Sequence, residues 1–110
     1  MCNLICFAGL CTVNPQIQPA KVASSATFTC KAANVPSQNF TWTKGIQASE
    51  KIVNDSQHSV VSVAGSSQLT IKNIAADQFG YYVCDATVNI NQPCSPRGYL
   101  QELRKLAFIV

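Results

Sequence analysis

The sequence predicts an all-β fold, a sandwich of two sheets, and three observations carry that expectation. Seven to eight short segments alternate apolar and polar residues, as in "ATFTCKA", "QLTIKNI" and "YYVCDATV". A period of two is the mark of a strand half buried in a sheet. Turn residues separate these segments at short intervals. No run supplies the helical crossover that parallel βαβ units need, save a weak one at "GYLQELRKL".

Taken in order, residues 1–13, "MCNLICFAGLCTV", form an apolar start with no preceding positive charge and no small-x-small cleavage site. They read as a leader or an extension upstream of a domain over 14–110. Pro15 and Pro19 interrupt "VNPQIQPAKVASS"; proline gives the ladder no donor, so this is a broken edge strand. Next, Ala26, Phe28, Cys30 and Ala32 share one face of a strand, with Thr27, Thr29 and Lys31 on the other. "ANVPSQN" is a turn region. "FTWTK" follows with Phe40 and Trp42 on one face, and Gly45 ends it. "KIV" and "SVVSV" read as short strands around the polar turn "NDSQ". In "QLTIKNI", Leu69 and Ile71 point together and Ile74 follows a break. "AADQFG" is a turn or single helical twist, and Tyr82, Cys84, Ala86 and Val88 then share an inward face. The loop from Asn89 to Gly98 leads to a final run whose ending, "LAFIV", favours a strand over a helix.

Composition narrows the function. At 110 residues the chain fits one domain with one core. Apolar residues make up 47% and charged residues 12%, which argues against disorder. The net charge of +3 comes from scattered Lys and Arg, whereas a nucleic-acid surface is densely basic, so nucleic acid is not expected as a partner. No stretch has the ~18 consecutive apolar residues of a membrane-spanning helix. Six cysteines, at 2, 6, 11, 30, 84 and 94, are dense enough to suggest an oxidising compartment. Their number alone selects no pairing.

One constellation stands out. Cys30 and Cys84 both lie on predicted inward faces, 54 positions apart, and Trp42 comes 12 after Cys30. A bridge between them would tie the sheets through the core, with the indole filling space beside it. Tyr82 faces inward two residues before Cys84, where its hydroxyl can reach back to the preceding turn, a tyrosine corner. "FTCKA", "WTKG", "LTIKNI" and "GYYVC" together resemble an immunoglobulin-like domain, a two-sheet Greek-key sandwich, most similar to the intermediate (I-set) type of adhesion molecules, receptors and muscle proteins. The resemblance implies that Cys30 and Cys84 form the inter-sheet disulfide, that Trp42 is the core tryptophan and that Tyr82 is the corner tyrosine. Members of that family usually carry an aspartate six residues before the second cysteine, often paired with a basic residue. Gln78 stands there and Asp77 one earlier, so the resemblance does not carry that salt bridge over. A bridge from Cys94 to Cys11, or to Cys6, would pin the amino-terminal segment against the loop. An intermolecular bond and a free thiol are the alternatives.

Chemistry is sparse. The titratable candidates for catalysis are His58 and five acids, and no nucleophile with a base and orienter is apparent. His58, in "NDSQHS", reads as a solvated turn residue. The cysteine spacings do not suit structural zinc, so no catalytic residue, metal or cofactor is expected. Two sequons, Asn39-Phe40-Thr41 and Asn54-Asp55-Ser56, are glycosylation candidates in a secreted chain. The remaining expectation is a secreted or extracellular module that recognises a protein, a second copy of itself included. Candidate contacts are the loop from 89 to 98, with Arg97, and the outward row Tyr81, Val83, Asp85 and Thr87. The competing reading is an intracellular structural domain of the muscle-filament type, with Cys30 and Cys84 reduced.

Overall fold

The computed structural model describes residues 11–45, 50–87 and 94–103. Among them nine strands run in chain order: β1 (Cys11–Asn14), β2 (Ile17–Ala20), β3 (Ala26–Ala32), β4 (Thr41–Lys44), β5 (Glu50–Lys51), β6 (His58–Val63), β7 (Ser66–Ile71), β8 (Gly80–Asp85) and β9 (Arg97–Glu102). They form two sheets, β1-β3-β7-β6 and β2-β9-β8-β4-β5. Neighbours are antiparallel except β2, which runs parallel to β9. The fold is an all-β sandwich.

Alternation in the sequence becomes burial between the sheets. Phe28 and Cys30 of β3, Leu69 and Ile71 of β7, and Tyr82 and Cys84 of β8 are buried, and Trp42 of β4 and Leu100 of β9 join them. Each large apolar side chain so buried contributes about 1.5–3 kcal/mol. Their outward neighbours are threonine and lysine on β3, glutamine and threonine on β7, and Tyr81, Val83 and Asp85 on β8. The turn "ANVPSQN" holds a 3₁₀ turn at Ser37–Asn39, and "AADQFG" holds another at Ala76–Gln78.

The amino-terminal segment departs from expectation. The boundary set at residue 14 falls inside β1, where Cys11, Thr12 and Val13 pair with Ala32, Lys31 and Cys30. Val13 is a core residue. Pro15 then ends this pairing, because it has no N–H to donate, and the chain crosses to the other sheet. There Ile17 stands in register with Tyr99. Two proline-punctuated pieces thus serve two sheets instead of one broken edge.

Two further corrections concern strand limits. "KIV" is a strand only at its start: Glu50 and Lys51 pair with β4, and Ile52 closes with an N–H bond to the Trp42 carbonyl of 2.9 Å. Arg97 and Gly98, assigned to the loop, already pair with Val83 and Tyr82. Gly98 is there for space. A Cβ on it would lie 2.5 Å from Cε1 of Phe28 and 3.0 Å from Cγ1 of Val13, so glycine lets the phenyl ring fill the gap between the sheets. Val88, the loop from 89 to 93, "LAFIV" and residues 1–10 lie outside the described residues.

Candidate protein-recognition face

What holds the sheets together also holds the face rigid. Cys30 of β3 and Cys84 of β8 are bonded, with Cα atoms 6.3 Å apart. Trp42 stands opposite Cys84 across β4 and β8, and Ser67 opposite Cys30 across β3 and β7. The Trp42 indole N–H donates to Ser67 Oγ at 2.9 Å, crossing from one sheet to the other. Ser62 Oγ lies 2.8 Å from the same hydroxyl, so all three buried polar atoms are satisfied. Tyr82 donates its hydroxyl proton to the carbonyl of Gln78, four residues back. Burial, and then the negative charges of Asp77 and Glu50, push the Tyr82 phenol well above its ordinary range. At the start of β8, Gly80 has φ +132°, a conformation that side chains resist.

Gln78 occupies the place where the family aspartate is expected, and it builds a neutral substitute for the salt bridge. Its Oε1 accepts the Ala75 N–H at 2.7 Å, which turns its amide nitrogen toward His58 Nε2, 3.3 Å away. His58 Nδ1 then donates to Asp55 Oδ1 at 2.9 Å. Only a neutral imidazole protonated on Nδ1 satisfies both neighbours. Hydrogen bonds from the Gln57 backbone, and next from His58, hold the Asp55 carboxyl below its ordinary range. His58 is therefore not the solvated turn residue expected from its surroundings in sequence. It is the first residue of β6, with only 16% of its side chain exposed. Its partner Gln78 lies 20 positions away, which no local pattern could reveal.

The outer surface of the five-stranded sheet gathers Tyr81, Asp85 and Arg97 of the expected contact residues. Tyr81 of β8 and Tyr99 of β9 are cross-strand partners whose rings meet edge to face, centroids 4.8 Å apart. Each is 37% exposed. The Arg97 guanidinium lies over the Tyr81 ring at 5.2 Å, a cation–π geometry. Ile17 extends the patch onto β2 with 58% exposure. Asp85 is exposed at the other end of β8, its carboxylate accepting the Thr87 N–H at 2.9 Å. Val83 does not belong to this surface. It is 7% exposed, packed on the central strand between its register partners Thr43 of β4 and Arg97 of β9.

Other expected residues lie elsewhere. Cys11 of β1 and Cys94, just before β9, are bonded across 83 positions, Cα atoms 6.0 Å apart. Cys94 is further fixed by its N–H to Thr87 Oγ1 and its carbonyl to the Ala86 N–H, both 2.8 Å. Asn39 ends the first 3₁₀ turn half-buried; Asn54 is exposed beside β6. A cleft of about 270 Å³ at the Gln78 end includes Lys44, Glu50, Asp55, His58 and Asp77. It falls short of the ~300–1,000 Å³ of small-molecule sites, and its histidine is already committed on both sides. Among the described residues no group of three or more His, Cys, Asp or Glu is placed to hold a metal ion, and no helix is long and apolar enough to cross a membrane.

A two-sheet sandwich, clamped by one buried disulfide beside a tryptophan and a corner tyrosine, defines a rigid display scaffold. The chain belongs to the immunoglobulin-domain family, whose profile matches residues 11–87. That family is a structural and recognition module, not a catalytic one, and occurs in extracellular adhesion and intracellular structural settings alike. A search of curated proteins gave no match.

Proposed function

We propose that the chain is an extracellular recognition module of the adhesion or receptor kind, which meets a protein partner through Tyr81, Tyr99 and Arg97. The observation that carries this reading is the Tyr81–Tyr99–Arg97 cluster on the outside of the disulfide-clamped sheet. Tyrosine and arginine dominate binding energy at protein interfaces, where rigid rings contribute area at little entropic cost. Ile17 adds apolar area at the rim, and Asp85 and Arg97 set charges of opposite sign at separate points. The second disulfide, Cys11–Cys94, supports an oxidising compartment over the intracellular structural alternative. The passage of the amino-terminal segment from one sheet to the other, with the short β5 at the far edge among the described residues, supports the intermediate type.

The test is surface-directed mutagenesis of secreted protein. Tyr81→Ala and Arg97→Ala are expected to abolish binding to cells that the wild type decorates. Gln68→Ala, on the opposite sheet, should leave it unchanged. Loss of a concentration-dependent dimer in the same two variants would identify a second copy as the partner. Equal binding by all variants contradicts the proposed face.

A further inference from the structure

Among the described residues the four-stranded sheet ends in β6, which pairs with β7 on one side only. An open edge is a template for pairing with another chain, and proteins blunt it. Here the blunting is incomplete. The His58 N–H donates to Asp55 Oδ1 and the Val60 N–H to Asn54 Oδ1, both at 2.7 Å, and the His58 carbonyl accepts the Asp55 N–H at 2.9 Å. Residues 54 and 55 thus cover the first half of the edge. By the same alternation the backbone of Ser62 also turns outward, flanked by Val61 and Val63, which are 59% and 57% exposed.

One sequon sits on this edge and the other close to β6. Asn54 lies against Val60. The 3₁₀ turn that ends in Asn39 packs against β6, near the point where Gly65, just past the strand, donates to the Val35 carbonyl at 2.8 Å. We infer that Asn54 and Asn39 are both N-glycosylated, and that the two glycans screen the β6 edge against pairing with a second copy of the chain. This rests on the extracellular reading above.

The chemistry suits the geometry at Asn54. Its Oδ1 is engaged, while Nδ2 belongs to an exposed side chain. Transfer from a lipid-diphosphate-linked oligosaccharide forms a bond between Nδ2 and the anomeric carbon. The bond from that carbon to the diphosphate oxygen breaks, the lipid diphosphate leaves with the electron pair, and Nδ2 gives up one proton. Oδ1 keeps its lone pairs, so the cap on Val60 survives modification. The Asn54 glycan also stands on the opposite sheet from Tyr81, beside β6.

The experiment is intact-mass and peptide analysis of the full chain secreted from eukaryotic cells, before and after enzymatic removal of N-glycans. Both asparagines should be occupied. Asn39→Gln and Ser56→Ala should each remove one glycan, the latter leaving the Asn54 cap in place. The double variant, and wild type deglycosylated after folding, should shift from monomer to concentration-dependent oligomer in sedimentation, and Val61→Lys should restore the monomer. Disulfide-bonded secreted protein with either site empty overturns this inference alone, as does a deglycosylated protein that stays monomeric. Native protein with reduced Cys30 and Cys84 overturns the extracellular reading together with it.

Discussion

Ser67 carries more than its size suggests. It is a serine in a strand of otherwise apolar inward residues, and its hydroxyl takes the proton of a fully buried indole. Ser67→Ala leaves that N–H without its partner, and an unmet buried donor costs about 1–3 kcal/mol. The unfolding free energy should fall by that amount, read as a lower denaturation midpoint with an unchanged m-value. Tyr82 makes a second residue-level prediction, on the alkaline side. Its phenol is raised in the folded state and titrates near its ordinary 10.0 once unfolded. Stability is then full below pH 10 and falls as pH rises above it, by about 1.4 kcal/mol per unit for this one proton. Tyr82→Phe should lose that part of the slope when both proteins are unfolded by denaturant across pH 9 to 11. An identical slope in the two proteins would contradict it.

At the scale of the element, β3, β7 and β8 were legible because alternation reports a half-buried face directly. Alternation does not report how many strands lie on either side. Val83 was expected outside with Tyr81, and it is outside, but at the middle of a five-stranded sheet its neighbours cover it. The parity of β8 was readable; its central place was not. Gly98 looked like loop punctuation because its reason, the Phe28 ring, comes from a strand 70 positions away. The start of β1 was hidden for a related cause: "CTV" reads as the tail of an apolar leader until its pairing with β3 is seen. The bridge from β1 to the segment before β9 gives the prediction at this scale. Closing a loop of that length stabilises by about 2–4 kcal/mol in typical cases. Cys11→Ala combined with Cys94→Ala should lower the unfolding free energy by that range, as read by denaturant melts. The β3–β8 clamp should remain, because its sulfurs, tryptophan and serine lie away from the change. A double variant as stable as wild type would mean that the bridge constrains nothing.

At the scale of the molecule, two disulfides among the described residues fasten β3 to β8 and β1 to the approach to β9, so the two sheets are tied at both places. A sandwich clamped in this way is the architecture of its family. The proposed recognition residues, two tyrosines and an arginine, stand on one side of the five-stranded sheet, while Asn54 lies beside the edge strand of the other. The proposed face was legible only in part: the outward placement of Tyr81, Asp85 and Arg97 followed from strand parity and loop position. Tyr99 was missed because its run could not be assigned to a strand facing β8. The most direct test is non-reducing peptide mapping of native protein alkylated before digestion. Linked peptides joining Cys30 to Cys84 and Cys11 to Cys94, with no alkylation at any of the four, are the expected result. Alkylated Cys30 and Cys84 in natively folded material would contradict the account and leave the reduced, structural kind of domain in its place.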